Sequence, residues 1–417
     1  MPGSKSQTSR ALVLAALATG PSLVRGVADS RDTQLMSAGL EALGTRVEDL
    51  GSGVRRVTPA PVRPVPAGID CGLAGTVLRF LPPVAALAPG TTRFTGDERA
   101  SERPLRPLLD GLAQLGVRYD SATGSVPFTL TSPAHLEGRV VVIDSSASSQ
   151  FVSGLLLAAP HFPDGLDLRH DGPPIPSAPH IAMTVQMLRQ RGVKIDDATP
   201  DRWDVHPGPI GARDELIEPD LTNAAAFLVA GVLSGGWVEV PDWPLTTTQP
   251  GDHIRTVLDA FGARTTLTPT GPGHGVVRAE WVGPPRGTHL DLHAASELTP
   301  VVAALGAFAE GDTTVSGVGH IRGHETDRIA AIVTTLGTIG VAAEETPDGL
   351  VIHGAGEYPR ALRGAILSTF GDHRMAHLGA LVGLRIPGVG LAGIEATTKT
   401  LPDFPERWCT MVAGTGA

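Results

Sequence analysis

The sequence predicts an α/β protein built from six copies of one helix–strand repeat, and three observations support this. Short apolar helical runs recur along the 417-residue chain, each closed by a glycine. A second series of helices ends in phrases such as LEALGTRV and LRQRGVKI, with a glycine before a strand-like run. Both series share a spacing of 70 to 78 residues. Because two independent registers agree on one period, we interpret the chain as a repeat protein.

The six apolar runs are the predicted first helices of the repeats. RALVLAALATG, VLRFLPPVAALAPG and FVSGLLLAAPHFPDG lie in the first half of the chain, and AAAFLVAGVLSGG, PVVAALGAFAEG and AHLGALVGLRIPG in the second. Strand-like runs such as TTRF, LDLRH and WVEV follow them. Each repeat is therefore expected to read helix, strand, helix and one or two strands. The closing glycines are Gly20, Gly90, Gly165, Gly235, Gly311 and Gly388.

The first twenty residues, MPGSKSQTSRALVLAALATG, have the basic start, apolar run and small residues of a secretory signal peptide. The same run is also the first of six similar helices, so we interpret it as part of the folded core. Two cysteines, Cys71 and Cys409, are too few for a disulfide framework and fit a reducing compartment. We therefore expect a cytoplasmic protein.

The charge of the chain limits its partners. A net charge of -10 argues against nucleic acid, which requires a broadly basic face. No apolar run approaches the roughly 20 residues of a membrane span. Of the 33 Lys and Arg residues only Lys5, Lys194 and Lys399 are lysines. Lys5 and Lys399 lie in loops rich in Ser, Thr and Gly, where a compact ammonium could have a special function.

The loops before the first helices occupy equivalent positions in the repeats and read GSKS, LAGT, SSQF, DLTN, ASEL and GDHR. If these helix starts converge, their free N–H groups form an anion site. Ordinary N-capping is the alternative, and it explains DLTN fully. It explains Lys5 and His373-Arg374 poorly, because a cation at a helix start opposes the helix dipole unless an anion is bound.

The loops before the second helices add further candidates. Singly, each of these residues would more often be a solvated or capping residue, but together they predict a basic site: Arg103, Ser177, His324, Arg328 and Lys399. Glu297 is either a helix cap or, among cations, an acid that exchanges protons with a substrate. Cys71 could be a nucleophile, but it lacks a flanking base and is better interpreted as a small buried residue.

Six motifs together resemble those of the 5-enolpyruvylshikimate-3-phosphate synthase family: PGSKSQTSRALVLAALA, GLAGTVLRFL, SASSQFVSGLLLAAP, RGHETDRIAA, GDHRMAH and TKTLPDFPERW. They span residues 2–408 in the family's order. The resemblance implies an inverse α/β barrel of the enolpyruvyl transferase type, with two similar domains of three repeats each. Residues 1–217 would form the shikimate 3-phosphate side, and residues 218–417 would carry the phosphoenolpyruvate clamp and the acid/base residue.

The resemblance also implies the reaction and the roles of residues. The enolpyruvyl group of phosphoenolpyruvate moves to the 5-hydroxyl of shikimate 3-phosphate, phosphate leaves, and no metal or organic cofactor takes part. Glu297 and Lys5 are the implied catalytic pair. The implied ligands of shikimate 3-phosphate are Lys5, Ser6, Arg10, Ser148, Ser149, Gln150, Ser177, Glu297, His320 and His324. Those of phosphoenolpyruvate are Lys5, Gly75, Arg103, Gln150, Arg328, Arg374 and Lys399.

Three departures from the family pattern affect these expectations. His324 stands where many relatives have lysine, and His320 where they have asparagine. Relatives also carry a strand before PGSKS that is anchored in the second domain and makes a second covalent crossing between domains. Because this chain reads PGSKS directly after Met1, we expect it to lack that crossing. We therefore predict either residues upstream of Met1 or a loosely held Lys5 and poor activity.

Three other functions compete with this interpretation. One is the enolpyruvyl transferase that uses a UDP-N-acetylglucosamine acceptor. That family typically has lysine followed by asparagine where this chain has Lys5 and Ser6, and it has a cysteine loop that this sequence lacks. The second is a non-catalytic paralogue that only binds anions. The third is the RNA 3′-terminal phosphate cyclase, which the negative charge opposes. We expect small-molecule substrates, no nucleic-acid or membrane partner, and a monomer.

Overall fold

A computed structural model describes residues 1–356 and 362–414. The chain forms two compact units, each with its own apolar core. The first unit is Gly3–Ile217, and the second unit combines Met1–Pro2 with residues 218–414. The chain therefore passes from the first unit to the second between Ile217 and Glu218.

The first unit contains three repeats, each with two helices. The first helices of its repeats are α1 (Lys5–Ala16), α3 (Gly75–Ala85) and α5 (Gln150–Ala158), and the second helices are α2 (Arg31–Ala42), α4 (Arg106–Ala113) and α6 (Pro179–Arg189). The strands are β1 (Ser22–Arg25), β2 (Arg46–Gly51), β3 (Val54–Thr58), β4 (Ile69–Asp70), β5 (Gly90–Thr95), β6 (Arg118–Ser121), β7 (Phe128–Ser132), β8 (Val140–Ile143), β9 (Leu166–His170), β10 (Ile195–Asp196), β11 (Arg202–Val205) and β12 (Glu215–Leu216).

These strands form three four-stranded sheets of the same design, ordered β12-β1-β3-β2, β4-β5-β7-β6 and β10-β11-β9-β8. In each sheet an antiparallel hairpin lies beside a parallel pair. The buried helix α3 connects the parallel strands β4 and β5, and α5 connects β8 and β9. For the first repeat the parallel neighbour of β1 is β12, from the end of the unit. This pairing closes the set of three repeats.

The second unit repeats the design of two helices per repeat, with one four-stranded, one three-stranded and one two-stranded sheet within the described ranges. Its helices are α7 (Leu221–Leu233), α8 (Ile254–Ala260), α9 (Thr299–Ala307), α10 (Arg328–Ile339), α11 (His373–Gly383) and α12 (Phe404–Val412). Its strands are β13 (Trp237–Pro244), β14 (Arg264–Gly271), β15 (His274–Glu280), β16 (His289–Asp291), β17 (Glu310–Ser316), β18 (Ala342–Thr346), β19 (Gly349–Ala355), β20 (Ile366–Ser368) and β21 (Gly390–Ala392). The sheets within the described ranges are β13-β15-β14, β16-β17-β19-β18 and β20-β21.

The first helix of each repeat is largely buried, which explains its long apolar run. Every residue of α3, α7 and α9 is buried, whereas α12 buries only Phe404. A helix that is apolar on all sides requires such a central position. The six predicted repeats are thus confirmed. Within the described part of the chain, no helix combines the length and apolar character that crossing a bilayer requires.

The repeated glycines have the backbone geometry that the sequence pattern predicts. Gly340 closes α10 with φ 95°, in the left-handed region that side chains other than glycine rarely adopt. The equivalent glycines after α2, α4, α6 and α8 are also left-handed, as are five of the six that follow the first helices. The period of the sequence therefore reflects a repeated helix-to-strand turn.

The start of the chain corrects one expectation. Met1 packs against the cluster of Phe227, Leu401 and Phe404, and Pro2 accepts a hydrogen bond from the Asp220 N–H at 2.8 Å. These first two residues therefore belong to the second unit, and the chain makes a second crossing between Pro2 and Gly3. The expectation that this crossing is missing was wrong, because two residues are enough to make it.

Candidate active site

Lys5 begins α1 and is held by the first unit itself. Ser4 caps the helix by accepting the Gln7 N–H at 3.4 Å. The Lys5 ammonium lies 3.2 Å from a carboxylate oxygen of Asp32, which is 1% exposed near the start of α2. Asp32 thus offsets the unfavourable position of a cation at a helix N-terminus. The ammonium has a defined position in this unit.

The starts of the three buried helices of the first unit lie next to one another. Ser9 of α1 donates to Thr76 of α3 at 3.1 Å, which joins these two helices within about one turn of their starts. Arg79 of α3 donates to the side-chain oxygen of Gln150, the first residue of α5, at 3.3 Å. The first residues of these three helices, Lys5, Gly75 and Gln150, therefore lie at the same end of the unit.

Gly75, the first residue of α3, faces two guanidinium groups. A Cβ atom at this position would lie 2.8 Å from an Nη atom of Arg79 and 2.9 Å from an Nη atom of Arg103. Arg103 is 6% exposed and donates to the Leu73 carbonyl at 3.0 Å. Arg79 is 2% exposed, donates to the Pro104 carbonyl at 3.0 Å, and lies over the ring of Phe151. The missing side chain of Gly75 leaves room for both arginines.

Arg10 occupies a deeper position than the other predicted ligands and is 1% exposed. Its Nε donates to Thr184 at 2.7 Å, and one Nη donates to Ser153 and to the His180 carbonyl, both at 3.0 Å. The other Nη donates to the Ser6 carbonyl at 2.9 Å. Arg10 therefore ties α1 to α5 and α6, directly beneath the helix turn that carries Ser6.

Four predicted ligands of shikimate 3-phosphate lie on two loops of the first unit. Ser148, Ser149 and Gln150 form the entry to α5, and the Ser148 hydroxyl accepts the Gln150 N–H at 3.2 Å. Ser177 lies just before α6 and has a left-handed φ of 52°. A left-handed conformation outside glycine is strained and persists where the surroundings hold it, which is typical of functional positions.

In the second unit, Arg328 is the centre of a buried ion-pair network. Its Nε donates to Asp372 at 2.8 Å, and an Nη donates to Glu325 at 2.8 Å. Lys399 forms a short ion pair with the other oxygen of Glu325. Burial alone would lower the pKa of the Arg328 guanidinium, but the charges of Asp372 and Glu325 outweigh it and raise that pKa. Arg328 is therefore fixed as a cation. Both Arg328 and Lys399 are buried, at 2% and 7% exposure.

Arg374 connects this network to the predicted acid/base residue. It is the second residue of α11, and its guanidinium lies 3.9 Å from a carboxylate oxygen of Glu297. It also donates to the Asn223 side-chain oxygen at 3.2 Å, while Asp372 accepts its backbone N–H at 2.8 Å. Asn223 belongs to the DLTN loop, to which the sequence assigned only capping. Asp220 does cap α7 there, but Asn223 also orients Arg374.

Three histidines line the same part of the second unit. His320 lies between His293 and His324, with ring centroids 6.2 and 5.8 Å apart. Burial, followed by the charge of His293, lowers the pKa of His320 to about 4, so this ring is neutral at pH 7. Its Nε2 lies 2.8 Å from the Ser296 hydroxyl. The Nδ1 of His324 lies 3.0 Å from Arg328, whose guanidinium can only donate, so this nitrogen accepts.

Cys71 is a poor nucleophile in this structure. Its side chain is fully buried, and burial followed by the charge of Asp70 raises its pKa well above the usual range. Among residues 1–356 and 362–414, no group of three or more His, Cys, Asp and Glu side chains is arranged to hold a metal ion.

The sequence interpretation missed several residues that hold the predicted ones. They are Asp32, Arg79, Asn223, Glu325 and Asp372. All of them except Asp32 stand inside a motif that was already singled out, so position was an available signal for those four. Nothing in the sequence pattern indicated Asp32. Their carboxylates and amides have ordinary capping roles in sequence, and Asp372 does cap α11. Only the folded chain shows that Glu325 and Asp372 also bind buried cations.

Comparisons with known proteins identify the family of the chain. A sequence profile of EPSP synthase (3-phosphoshikimate 1-carboxyvinyltransferase) matches residues 1–408. A 3-phosphoshikimate 1-carboxyvinyltransferase of Kocuria rhizophila is 49% identical, with 100% of this chain and 94% of the relative covered.

Solved structures agree in fold. An EPSP synthase of Acinetobacter baumannii superposes with a TM-score of 0.80 at 23% identity, covering 97% of this chain and 93% of that one. The enolpyruvyl transferase NikO of Streptomyces tendae gives 0.76 at 20% identity, covering 99% and 93%. With a sequence match over nearly the whole chain, this protein belongs to the EPSP synthase (3-phosphoshikimate 1-carboxyvinyltransferase) family.

Proposed function

We propose that this chain transfers the enolpyruvyl group of phosphoenolpyruvate to the 5-hydroxyl of shikimate 3-phosphate and releases phosphate. This is the activity for which its family is named, and it makes the chain a transferase of aromatic amino-acid biosynthesis. The individual roles given below are inferences from the family motifs and from the geometry of each unit.

Phosphoenolpyruvate carries a carboxylate and a phosphate, which guanidinium forks and ammonium groups bind well. In the second unit Arg328, Arg374 and Lys399 supply three buried cations, held in place by carboxylates and Asn223. In the first unit Lys5, Gln150 and Arg103 supply further donors, and Gly75 leaves space beside Arg103. Because these groups are positioned before the substrate arrives, binding requires little reorganisation.

Shikimate 3-phosphate has its own set of proposed ligands. Short hydroxyls at the start of α5 and before α6 are suited to a phosphate, which also gains from the helix N-terminus. Arg10 stays in this set because of its motif. To contact the substrate, the Nη that now donates to the Ser6 carbonyl would also have to donate to the substrate. Glu297, His320 and His324 complete the set from the second unit. The proposed ligands in the first unit are Lys5, Ser6, Arg10, Ser148, Ser149, Gln150 and Ser177.

The proposed mechanism uses one acid and one base. Glu297 takes the proton of the 5-hydroxyl while the hydroxyl oxygen attacks C2 of phosphoenolpyruvate. The Lys5 ammonium protonates C3, which becomes a methyl group. The tetrahedral intermediate then returns a proton from that methyl group to the Lys5 amine and expels phosphate, and the enolpyruvyl double bond forms again. The leaving phosphate takes the proton that Glu297 holds, so both residues regain their starting states. The Arg374 guanidinium, 3.9 Å from Glu297, places a positive charge beside the carboxylate that acts as the base in the first step.

One observation supports this proposal most strongly. Glu297 and the three cations Arg328, Arg374 and Lys399 form one connected network with Asp372 and Glu325 in the second unit. Three buried cations beside an accessible carboxylate match an anionic substrate that must exchange a proton. A network with a purely structural role would not need Arg374 to lie beside Glu297, an acid that is partly exposed to solvent.

The test is phosphate release from phosphoenolpyruvate in three parallel reactions, with shikimate 3-phosphate, with UDP-N-acetylglucosamine and without an acceptor. We expect release only with shikimate 3-phosphate, together with a product whose mass equals the acceptor plus an enolpyruvyl group. Release with the UDP sugar would indicate the other enolpyruvyl transferase. Binding of both substrates without release would indicate a non-catalytic paralogue.

We further infer that the enzyme acts as a monomer in the cytoplasm. The two cysteines are free thiols in the structure, which fits a reducing compartment. Sedimentation of the purified chain at several concentrations tests the monomer, and a concentration-dependent mass would refute it.

A further inference from the structure

His170, at the end of β9, contacts two loops that carry proposed substrate ligands. Its Nδ1 lies 3.0 Å from the backbone nitrogen of Ser145, and its Nε2 lies 2.8 Å from the carbonyl oxygen of Pro173. A backbone N–H can only donate, so Nδ1 carries no proton and accepts. The proton is then on Nε2, which donates to Pro173. The Ile143 carbonyl, 3.3 Å from Nδ1, therefore receives no proton from this ring.

The Ser145 contact holds the base of the α5 entry loop. Ser145 is fully buried, and its carbonyl accepts the Ser148 N–H at 3.0 Å. The Ser148 hydroxyl in turn accepts the Gln150 N–H at 3.2 Å. Next to Ser145, Asp144 accepts the Ser146 N–H at 2.8 Å. A continuous series of short-range hydrogen bonds thus leads from His170 to Ser148 and Gln150.

The Pro173 contact holds the base of the loop before α6. The segment from Pro173 to Ser177 reads PPIPS, and its three prolines fix φ and restrict the residues before them. Such a segment transmits the position of one end to the other, because it has few soft torsions. At its far end Ser177 keeps a left-handed φ of 52°, and its carbonyl accepts the His180 N–H at 3.0 Å.

We propose that His170 is a positioning residue for shikimate 3-phosphate. In its neutral Nε2–H form it ties the loop of Ser148, Ser149 and Gln150 to the loop of Ser177, so that both sets of side chains face the substrate in one arrangement. His170 itself does not touch the substrate. This inference rests on the proposed function, because it takes the roles of those four residues from it.

A purely structural role for His170 predicts a different result. Loss of two hydrogen bonds at a partly exposed site would then lower stability without a preference for either substrate. The chain offers a matched control in His161, whose Nε2 lies 2.8 Å from the Leu17 carbonyl in the same unit. His161 contacts neither of the two loops through this bond, so His161→Ala removes a comparable interaction elsewhere.

The experiment compares His170→Ala, His170→Asn, His170→Gln and His161→Ala in the full chain. Asparagine places an amide oxygen near the position of Nδ1 and keeps the Ser145 contact, whereas glutamine reaches Pro173 with its amide nitrogen. We expect His170→Ala to raise the KM and the Kd of shikimate 3-phosphate roughly tenfold, with kcat within about twofold. The loss for phosphoenolpyruvate should be clearly smaller, because Gln150 is the only one of the four loop residues among its proposed ligands. The Asn and Gln variants should each recover part of the lost affinity. His161→Ala should have the same KM and Kd for both substrates as the wild type.

Several outcomes would overturn the inference. His170→Ala could bind shikimate 3-phosphate within twofold of the wild type, or weaken both substrates equally. If that variant does not fold, Asn and Gln variants with wild-type affinity would refute the inference equally well. Long-range ¹H–¹⁵N spectra should show the His170 ring, assigned by its loss in the variant, as the Nε2–H tautomer, and the opposite tautomer would contradict the geometry. A wild-type chain that makes no product would instead refute the proposed function. An active wild type together with His170 variants that bind shikimate 3-phosphate equally well would refute only this inference.

Discussion

A methyl group at Gly75 is a small change whose effect can be derived from the geometry around α3. Gly75 is the first residue of the helix and its φ is not left-handed, so alanine is compatible with the backbone and has a better helix propensity. The new Cβ would lie 2.8 Å from Arg79 and 2.9 Å from Arg103. Real Cβ atoms do not approach this closely, so the guanidinium groups must move by several tenths of an ångström.

The movement should reduce binding more than stability. Both arginines end in flexible side chains, so the displaced atoms can rotate away without a change in the backbone. Arg103 is the proposed phosphoenolpyruvate ligand, and a charge-assisted hydrogen bond is worth about 1.5–3 kcal/mol. Loss of one such bond corresponds to roughly a 10- to 100-fold weaker phosphoenolpyruvate complex. Shikimate 3-phosphate, whose proposed ligands exclude Gly75 and Arg103, should bind almost unchanged.

Calorimetric titration of each substrate and thermal melting of Gly75→Ala measure these effects separately. The expected pattern is a large loss for phosphoenolpyruvate, a change below about twofold for shikimate 3-phosphate, and a melting temperature within a few degrees of the wild type. Equal losses for both substrates, or a strongly lowered melting temperature, would refute the reasoning and show that Gly75 has a packing role instead.

Two further substitutions test the proposed acid and base. Glu297→Gln keeps the shape of the side chain but removes the ionisable proton, so kcat should fall roughly 100-fold or more while substrate affinity changes little. A variant with near-normal kcat would reduce Glu297 to a helix cap. Asp32→Asn removes the carboxylate 3.2 Å from Lys5, and kcat/KM should fall about tenfold because the ammonium is less firmly oriented. Unchanged steady-state kinetics would show that α1 alone positions Lys5.

The sequence predicted the parts of the fold and the site that depend on local pattern. The period of the glycines predicted six repeats because most helices of the repeats are followed by the same left-handed turn, as at Gly340. The equivalence of the repeats then predicted that Lys5, Gly75 and Gln150 would lie at adjacent helix starts. These inferences required only spacing and residue type, which a sequence contains.

The parts that failed or were missed depend on tertiary contacts. Glu325 reads as an ordinary acid before a helix, and only folding places it between Arg328 and Lys399. Arg10 has the residue type of an anion ligand, and that role stays a proposal. Only the folded chain shows that two of its nitrogens also bind Thr184 and Ser153, more than 140 residues away in the chain. The second crossing at Pro2 depends on the packing of Met1 on the Phe227, Leu401 and Phe404 cluster and on a hydrogen bond from the Asp220 N–H to the Pro2 carbonyl. No spacing rule indicates which partners a buried charge will find.

His377 is a buried titratable group that the proposed mechanism does not use, and its geometry predicts a dependence of stability on pH. The side chain is fully buried in α11 and packs on the ring of Phe404, with centroids 4.7 Å apart. Neither ring nitrogen has a hydrogen-bond partner among the described residues. Burial, and then the charges of Arg374 and Arg328, lower its pKa well below the ordinary value of 6.5. The folded chain thus holds a neutral ring that the unfolded chain would protonate in mild acid.

The sign of the effect follows from this difference. Below about pH 6.5 the unfolded state binds a proton that the folded state excludes, so the free energy of unfolding falls with falling pH, by up to about 1.4 kcal/mol per unit. His377→Met removes this linkage and both unpaired nitrogens. The variant should equal or slightly exceed the wild type in stability at pH 7.5, with an advantage of roughly 1.4 kcal/mol more at pH 5.5 than at pH 7.5.

Urea unfolding at several pH values, followed by tryptophan fluorescence, measures this difference in the second unit, which holds four of the five tryptophans. His353→Gln is the matched control of opposite sign. His353 is on the surface beside Asp312, and the hydrogen bond to that carboxylate raises its pKa. Its contribution is present in acid and is lost as the pH rises, so its replacement should cost stability at pH 5.5 and not at pH 7.5. The difference in free energy of unfolding between His377→Met and the wild type could instead stay constant from pH 7.5 to 5.5. The folded ring would then bind a proton as readily as the unfolded ring, and the linkage argument would be wrong.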